Sequence, residues 1–261
     1  MRAPALLALA LSAALAASPA VSAHALQDFG DAPAARALAR LQPGAEAGAR
    51  LHLVQIGDSH TAGDYFTDRL RERLQQRIGD GGMGWAMPAW FNGQRMSRVG
   101  YDQQGLVLLS SRSAGEADYP FGGLIAQGGG APTALTIKSK AGDQPLQEVT
   151  VLLSQGATDP DLEVVDADGR QLRFSSPVVE PGWASFSFKA RLPFTLTTQG
   201  SPETRIGGWW LGSGRPGAIV SAVGINGAEL AHWSRWRPGW MQDLAAGKPD
   251  IVAIAYGTNE A

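Results

Sequence analysis

A ten-residue stretch, 51–60, constrains the fold of this chain more than any other part of its sequence. Its apolar run from 51 to 56 predicts a buried strand of a parallel sheet. The strand is expected to end at Gly57-Asp58-Ser59, and a helix is expected from 62 to 78. Open α/β sheets bind ligands at the carboxyl ends of their strands. The Ser59 hydroxyl is therefore expected to face a crevice, beside helix amides that stabilise negative charge.

Two later segments repeat this pattern of an apolar strand followed by small polar residues. Residues 220–227 read Val-Ser-Ala-Val-Gly-Ile-Asn-Gly, and residues 250–260 read Asp-Ile-Val-Ala-Ile-Ala-Tyr-Gly-Thr-Asn-Glu. If the three strands lie in one parallel sheet, their carboxyl ends bring Ser59, Gly227 and Asn259 to one crevice.

These three strand ends together resemble the sequence blocks of the SGNH (GDSL-type) hydrolases. Gly57-Asp58-Ser59 resembles the first block, 224–227 the second and 257–260 the third, with Glu260 where the family usually has Asp. The resemblance implies an α/β fold, a flavodoxin-like three-layer sandwich that is incomplete here. It also implies that Ser59 is the nucleophile, and that the Ser59 amide, the Gly227 amide and the Asn259 side chain form the oxyanion hole. Asp58 is expected to support the turn rather than to act as a base.

The fourth block of that family, a downstream Asp-x-x-His that supplies the base and its orienting acid, is missing from the sequence. We interpret this as truncation, and we expect little or no hydrolysis from the chain as given, because triad-type residues act as a unit. Among the four histidines, only His232, three residues after Glu229, is a candidate for reaching the site. The alternative for His232 is a surface or packing residue.

Composition excludes several kinds of chemistry. The chain has no cysteine, so it has no disulfide, no cysteine nucleophile and no thiolate metal site. Its formal net charge of −2 predicts no bulk electrostatic attraction to nucleic acid. The histidines are scattered without the spacing of a metal site, so we expect neither metal nor cofactor.

The N-terminal residues predict export. Residues 1–23 combine an early arginine, an apolar core and a small-residue cleavage site at Val21-Ser22-Ala23, as in a secretory signal peptide. A membrane anchor is the alternative, but the apolar run is short for a span of about 20 residues. We therefore expect a periplasmic or secreted protein with no stable membrane span after signal removal, and an alanine-rich lead-in over 24–49.

The pattern of elements predicts a hydrolase domain in two parts. Residues 50–104 would form its first part and 209–261 its second, truncated part. Between them, 105–208 contains short strand-like runs punctuated by turn residues, which is typical of an all-β sandwich. We interpret this region as an inserted domain that could bind carbohydrate.

Two local patterns make further predictions. In the helix after Ser59, apolar residues at every fourth position predict the face that packs on the sheet, and Arg71 is expected on the opposite, solvated face. The apolar residues are Phe66, Leu70, Leu74 and Ile78. The glycine-rich segment 79–90 is expected to be a loop, and its Trp85 and Trp90 are candidates for a sugar-binding surface. The alternative is that both tryptophans belong to the core.

Taken together, these features resemble bacterial peptidoglycan O-acetylesterases, which carry an inserted carbohydrate-binding-type module in an SGNH domain. The resemblance implies an exported serine esterase that removes O-acetyl groups from an acetylated glycan such as peptidoglycan. Three alternatives stay open: a non-catalytic glycan-binding protein on a hydrolase scaffold, an O-acetyltransferase using the same site, and a lipase or thioesterase. The sequence specifies neither the sugar nor the oligomeric state.

Overall fold

The computed structural model of this chain describes residues 30, 32–41, 49–113, 118–156, 162–174 and 182–260. The predicted signal peptide and most of the predicted lead-in lie outside these residues. The described helices are α1 Ala32–Ala39, α2 Ser59–Ala62, α3 Tyr65–Ile78 and α4 Trp240–Ala246, with a 3₁₀ helix at Leu230–Arg235. The described strands are β1 Arg50–Gly57, β2 Gly82–Ala86, β3 Val99–Gln104, β4 Leu106–Ser110, β5 Leu124–Gly128, β6 Thr133–Ser139, β7 Leu146–Gln155, β8 Leu162–Val165, β9 Gln171–Phe174, β10 Gly182–Arg191, β11 Phe194–Thr198, β12 Arg205–Gly212, β13 Gly217–Gly224 and β14 Ile251–Ala255.

A three-stranded parallel sheet has the order β13-β1-β14. The central strand β1 is the apolar run seen in the sequence, and it is hydrogen-bonded on both sides. Gly57 at the end of β1 is level with Gly224 of β13 and with Ala255 of β14. All three strands therefore end at the same edge of the sheet.

Two antiparallel sheets make up most of the remaining described structure. One has the order β10-β7-β12-β5-β4, with β2 also paired to β12, and the other has the order β3-β6-β11-β8-β9. Strand β7 pairs with β10 over its whole length, and β12 runs along its other side. The six-stranded sheet is thus built around β7 and β12.

The six-stranded sheet has an apolar cluster on each face. Consecutive side chains of a strand point to opposite faces, and Trp209 and Trp210 of β12 accordingly belong to different clusters. Trp209 packs in the cluster shared with the five-stranded sheet, which includes Leu135 and Phe194. Trp210 packs in the cluster shared with the parallel sheet, which includes Val54. The six-stranded sheet is therefore the middle layer, and it carries the parallel strands on one side.

The predicted α/β fold class, an incomplete flavodoxin-like SGNH three-layer sandwich, is wrong for the described residues. Their structure is mostly β, with three sheets and only four α-helices, of which α2 has four residues. The apolar pattern of β1 identifies a parallel strand, but it does not reveal what covers the sheet. Here the Trp and Phe side chains of the antiparallel region pack on one face of the parallel sheet, where a doubly wound fold has helices.

Two local predictions also need correction. The segment predicted as a glycine-rich loop contains strand β2, which pairs with β12 and packs against β13. A side chain at Gly82 would lie 2.7 Å from the backbone of Gly212, so glycine is required for this close approach. In α3, Phe66 is exposed, whereas Arg71 is buried and pairs with Asp68 at 2.7 Å.

The division into domains at 50–104, 105–208 and 209–261 stays a prediction. Strands β2 and β3, which precede residue 105, are members of the two antiparallel sheets. Among the described helices, none combines the length and the apolar character that a membrane crossing requires.

Candidate functional site

The candidate site lies at the carboxyl edge of the parallel sheet, where three loops come into contact. The amide of Ile225, just after β13, donates to the carbonyl of Gly57 at 3.3 Å. The side-chain amide of Asn259, after β14, donates to the carbonyl of Ala228 at 2.9 Å. The residues that follow β1, β13 and β14 therefore form one continuous surface, which contains Ser59, Gly227 and Asn259.

Ser59 begins the short helix α2, and Asp58 is the residue that caps it. The carboxylate of Asp58 accepts from the His60 amide at 3.0 Å and from His60 Nδ1 at 3.2 Å, and the residue is 1% exposed. Burial alone would raise the pKa of Asp58, but hydrogen bonds from His60 and Thr258 hold it below its usual value. Asp58 thus caps the helix that begins with Ser59, and Ser59 itself is exposed.

The hydroxyl of Ser59 has no hydrogen-bond partner among the described residues, so the structure does not supply it with a base. His232 is the candidate from the sequence, but its Nδ1 accepts from the Glu229 amide at 2.9 Å. That contact places the ring proton on Nε2. In this tautomer neither ring nitrogen of His232 is free to accept the serine proton.

Two of the three expected oxyanion residues, Gly227 and Asn259, lie in loops that contact each other. Gly227 has a φ of 70°, in the left-handed region that favours glycine. Asn259 is tied to the same turn through Ala228. One hydrogen of the Asn259 amide is used in that bond, which leaves the second available to a ligand.

Glu260, where the SGNH resemblance would place Asp, connects two of these loops. Its carboxylate accepts from the amides of Leu230 at 2.9 Å, Gly257 at 2.9 Å and Asn259 at 3.1 Å. The Leu230 amide is the main reason that the pKa of Glu260 lies below its usual value, and the other amides add to the effect. Glu260 therefore holds the Asn259 loop against the 3₁₀ helix.

The two candidate tryptophans have different environments. Trp85 is 3% exposed and contacts the rings of Phe121 and Trp210. Trp90 is 48% exposed, and its loop is bound to the site because Asn226 donates a hydrogen bond to the carbonyl of Gly93. Trp85 therefore has the environment of a core residue, and Trp90 is the one that could meet a ligand.

Sequence reasoning missed Arg112, which lies in the loop after β4. Its guanidinium donates to the carbonyl of Asn226 at 3.3 Å, immediately before Gly227. The two residues are 114 positions apart. No local motif signals such a contact, because it depends on how the antiparallel sheets pack against the parallel one.

Two cavities of the described structure lie away from the candidate site. One of about 450 Å³ is lined by residues including Arg71, Gln147 and Arg215, and one of about 290 Å³ includes His52 and Trp210. Neither includes Ser59, Gly227 or Asn259. We therefore assign the candidate site from the residues at the strand ends and not from the volume of a cavity.

No group of three or more histidine, aspartate or glutamate side chains is placed to hold a metal ion in the part of the chain that the structure describes.

Comparison with known proteins finds a matching family model and a similar solved structure. A family model described as peptidoglycan O-acetylesterase, N-terminal, matches residues 81–195. A solved structure, "Peptidoglycan O-acetylesterase in action, 5 min", is similar with a TM-score of 0.72 and 39% sequence identity, covering 82% of this chain and 58% of that one. The chain thus spans less than two thirds of that relative, and no curated protein matches it. Both matches support a peptidoglycan O-acetylesterase-like family for this chain.

Proposed function

We propose that this chain is the nucleophile-bearing part of an exported SGNH-type serine esterase that removes O-acetyl groups from a glycan such as peptidoglycan. One observation carries the proposal. Ser59, Gly227 and Asn259 all follow the carboxyl ends of three hydrogen-bonded parallel strands, and their loops touch. The family match and the solved relative support the substrate class. A glycan of the cell wall also agrees with an extracytoplasmic location, as the predicted signal peptide requires.

In the proposed reaction, Ser59 Oγ attacks the acetyl carbonyl carbon and the ester C–O bond breaks. The serine proton passes through a base to the departing sugar hydroxyl, which leaves an acetyl group on Ser59. Water then cleaves this acetyl-enzyme to acetate and restores the serine. The amides of Ser59 and Gly227 and the side chain of Asn259 stabilise the negative carbonyl oxygen in both steps. Transfer to a second sugar hydroxyl instead of water would make the same site an O-acetyltransferase.

Among the described residues, no side chain is placed to act as a base for Ser59. Serine is a weak nucleophile without one, and His232 is held in the wrong tautomer. We therefore expect the 261-residue chain alone to hydrolyse esters very slowly. The same observation favours a second candidate function, a glycan-binding protein that uses the crevice without chemistry.

An external base tests the proposal directly. The chain is incubated with an aryl acetate, with and without imidazole, and the peptide containing Ser59 is analysed by mass spectrometry. We expect imidazole to increase acetylation of wild-type Ser59 and acetate release. Ser59→Ala should reduce the rate to that of imidazole alone, whereas Ser187→Ala, which removes an exposed hydroxyl of β10, should leave it unchanged. Equal rates for wild type and Ser59→Ala would overturn the esterase proposal and leave the glycan-binding one.

A further inference from the structure

Asp58 and His60, the residues on either side of Ser59, are joined through their side chains. The Asp58 carboxylate accepts from His60 Nδ1 at 3.2 Å and from the His60 amide at 3.0 Å. Thr258, in the loop after β14, also bonds to this carboxylate, and these hydrogen bonds hold the pKa of Asp58 below its usual value. An ionised carboxylate can only accept hydrogen bonds. Nδ1 therefore carries the proton of the neutral ring, and Nε2 has the free lone pair.

The surroundings of the imidazole leave that lone pair accessible. The side chain of His60 is 74% exposed, whereas that of Asp58 is 2% exposed. Among the described residues, none is hydrogen-bonded to His60 Nε2. His232 differs in this respect, because its Nδ1 accepts from the Glu229 amide and its proton lies on Nε2. His60 thus has the tautomer that a base needs, beside a nucleophile that is also exposed.

A carboxylate that holds the Nδ1–H of an imidazole, so that Nε2 can accept a proton, is how serine hydrolases position their base. The Ser59 hydroxyl is not itself bonded to His60, so this ring is not the base that activates the serine. Once Ser59 carries an acetyl group, however, the hydroxyl that removes it approaches from solvent, next to the exposed ring. We propose that His60 is a catalytic residue of the second step, in which its Nε2 is the base for the hydroxyl that attacks acetyl-Ser59. The inference rests on the proposed function, because that function supplies the acetyl-enzyme.

The bonds and the proton balance in this step without a further group. Nε2 takes a proton from water while the water oxygen bonds to the acetyl carbon. The C–O bond to Ser59 then breaks, and the imidazolium returns the proton to Ser59 Oγ, so that acetic acid leaves and loses its proton to solvent. Between these events the buried carboxylate of Asp58 compensates the positive charge of the imidazolium. A sugar hydroxyl in place of water would transfer the acetyl group through the same base.

The lifetime of acetyl-Ser59 tests this step separately from its formation. The chain is acetylated with an aryl acetate and imidazole, both reagents are removed by gel filtration, and the acetyl group on the Ser59 peptide is followed by mass spectrometry. His60→Asn is the informative variant, because the Asn amide can replace Nδ1 as the donor to Asp58 but nothing replaces Nε2. We expect acetyl-Ser59 to decay at least about tenfold more slowly in His60→Asn than in the wild type. Imidazole that is added back should restore the faster decay.

Two further measurements separate catalysis from a structural role. His232→Asn, which keeps an acceptor for the Glu229 amide, should leave the decay unchanged. Nitrogen NMR at about pH 8, above the range in which imidazoles ordinarily titrate, should show the His60 ring proton on Nδ1. Equal decay in the wild type and His60→Asn, no rescue by imidazole, or a ring proton on Nε2 would overturn the inference alone. Absence of acetyl-Ser59 in the wild type would overturn the esterase proposal and this inference with it.

Discussion

Trp85 and Trp90 are five residues apart, but only one of them has a face available to a sugar. The ring of Trp85 lies 4.7 Å from that of Trp210 and 5.1 Å from that of Phe121, measured between centroids. Trp90 is half-exposed, and its backbone amide and carbonyl are held by the side chain of Gln103. Trp85 therefore supports the fold, and Trp90 is the residue to test as a binding surface.

We expect alanine substitutions of these two tryptophans to have opposite effects. Trp85→Ala should lower the free energy of unfolding by about 3–5 kcal/mol, because it leaves a cavity between two sheets. Trp90→Ala should change the free energy of unfolding by less than about 0.5 kcal/mol, because the Gln103 side chain bonds only to the backbone of Trp90, which the substitution keeps. Trp90→Ala should weaken glycan binding, measured by NMR titration with a soluble peptidoglycan fragment. A large loss of stability in Trp90→Ala, or unchanged binding, would contradict this assignment.

For single residues the sequence indicated candidates but not their surroundings. Ser59, Gly227 and Asn259 could be proposed because each follows an apolar strand. Arg112 could not, because its partner Asn226 is 114 positions away and no periodic pattern connects them. Exposure of a tryptophan likewise depends on the sheets that surround it.

Among the elements, the loop after β14 depends on one side chain for its shape. Glu260 accepts hydrogen bonds from three backbone amides, and one of them belongs to the 3₁₀ helix that follows the Gly227 turn. Asn259, in the same loop, reaches the carbonyl of Ala228. Glu260 is therefore a positioning residue for the Asn259 amide.

Glu260→Ala should loosen this loop. We expect faster hydrogen exchange at the amides of Leu230, Gly257 and Asn259, by severalfold or more, and weaker imidazole-assisted acetylation of Ser59. Glu260→Gln should have a smaller effect, because its carbonyl can replace part of the acceptor. Glu148→Ala, which removes an exposed carboxylate of β7, should leave these amides unchanged. Since the pKa of Glu260 is lowered, protection should persist on acidification below the usual glutamate range and end only at the lowered pKa.

Strands and helices differed in how well their sequences predicted them. The apolar run of 51–56 identified β1, which is Arg50–Gly57, because a buried parallel strand is apolar on both faces. The predicted packing face of α3 was wrong. Phe66, predicted to be packed, is exposed, and Arg71, predicted to be solvated, is buried. Arg71 is buried because Asp64 and Asp68 neutralise it and the Val220 carbonyl accepts from it. The spacing of apolar residues in the sequence does not reveal such buried ion pairs.

In the molecule as a whole, three sheets pack around two apolar clusters, one on each face of the six-stranded sheet. Local patterns identified the parallel strands, but the α/β fold class drawn from them was wrong, because sheet number depends on long-range pairing. For example, the single strand β12 pairs with three others, β7, β5 and β2. Pairings between residues as distant as Trp85 and Trp210 are not encoded in any local window.

A buried histidine links these layers. His52 of β1 is 1% exposed, with its Nδ1 2.8 Å from the Gly247 carbonyl and its Nε2 2.8 Å from the Ser221 hydroxyl. A carbonyl can only accept, so Nδ1 carries the proton and Nε2 accepts from Ser221. The Ser221 oxygen in turn accepts from the Trp85 amide at 2.8 Å. This chain of hydrogen bonds joins β1, β13 and β2, and it requires a neutral imidazole.

Protonation of His52 should therefore limit the stability of the whole fold in acid. Burial lowers its pKa from 6.5 to about 4, with a contribution from the charge of Arg50, although the Gly247 bond and Asp250 oppose the shift. Above pH 6.5 the imidazole is neutral in both folded and unfolded chains. Between pH 6.5 and about 4 only the unfolded chain gains the proton, so stability falls as the pH falls through this range. The total loss should be about 3 kcal/mol.

Urea unfolding at a series of pH values measures this loss. In the interval above about pH 5 histidines rather than carboxylates titrate, and comparison with a His52 variant assigns the contribution of His52. His52→Gln should flatten the dependence of unfolding free energy on pH in that interval, whatever its effect on stability at neutral pH. If the variant does not fold, NMR titration of the wild-type imidazole gives the same information, since its signals should stay those of the neutral ring until near pH 4. A ring that becomes charged near pH 6.5 in the folded protein, or an unchanged slope in His52→Gln, would show that this hydrogen-bond chain does not depend on a neutral His52.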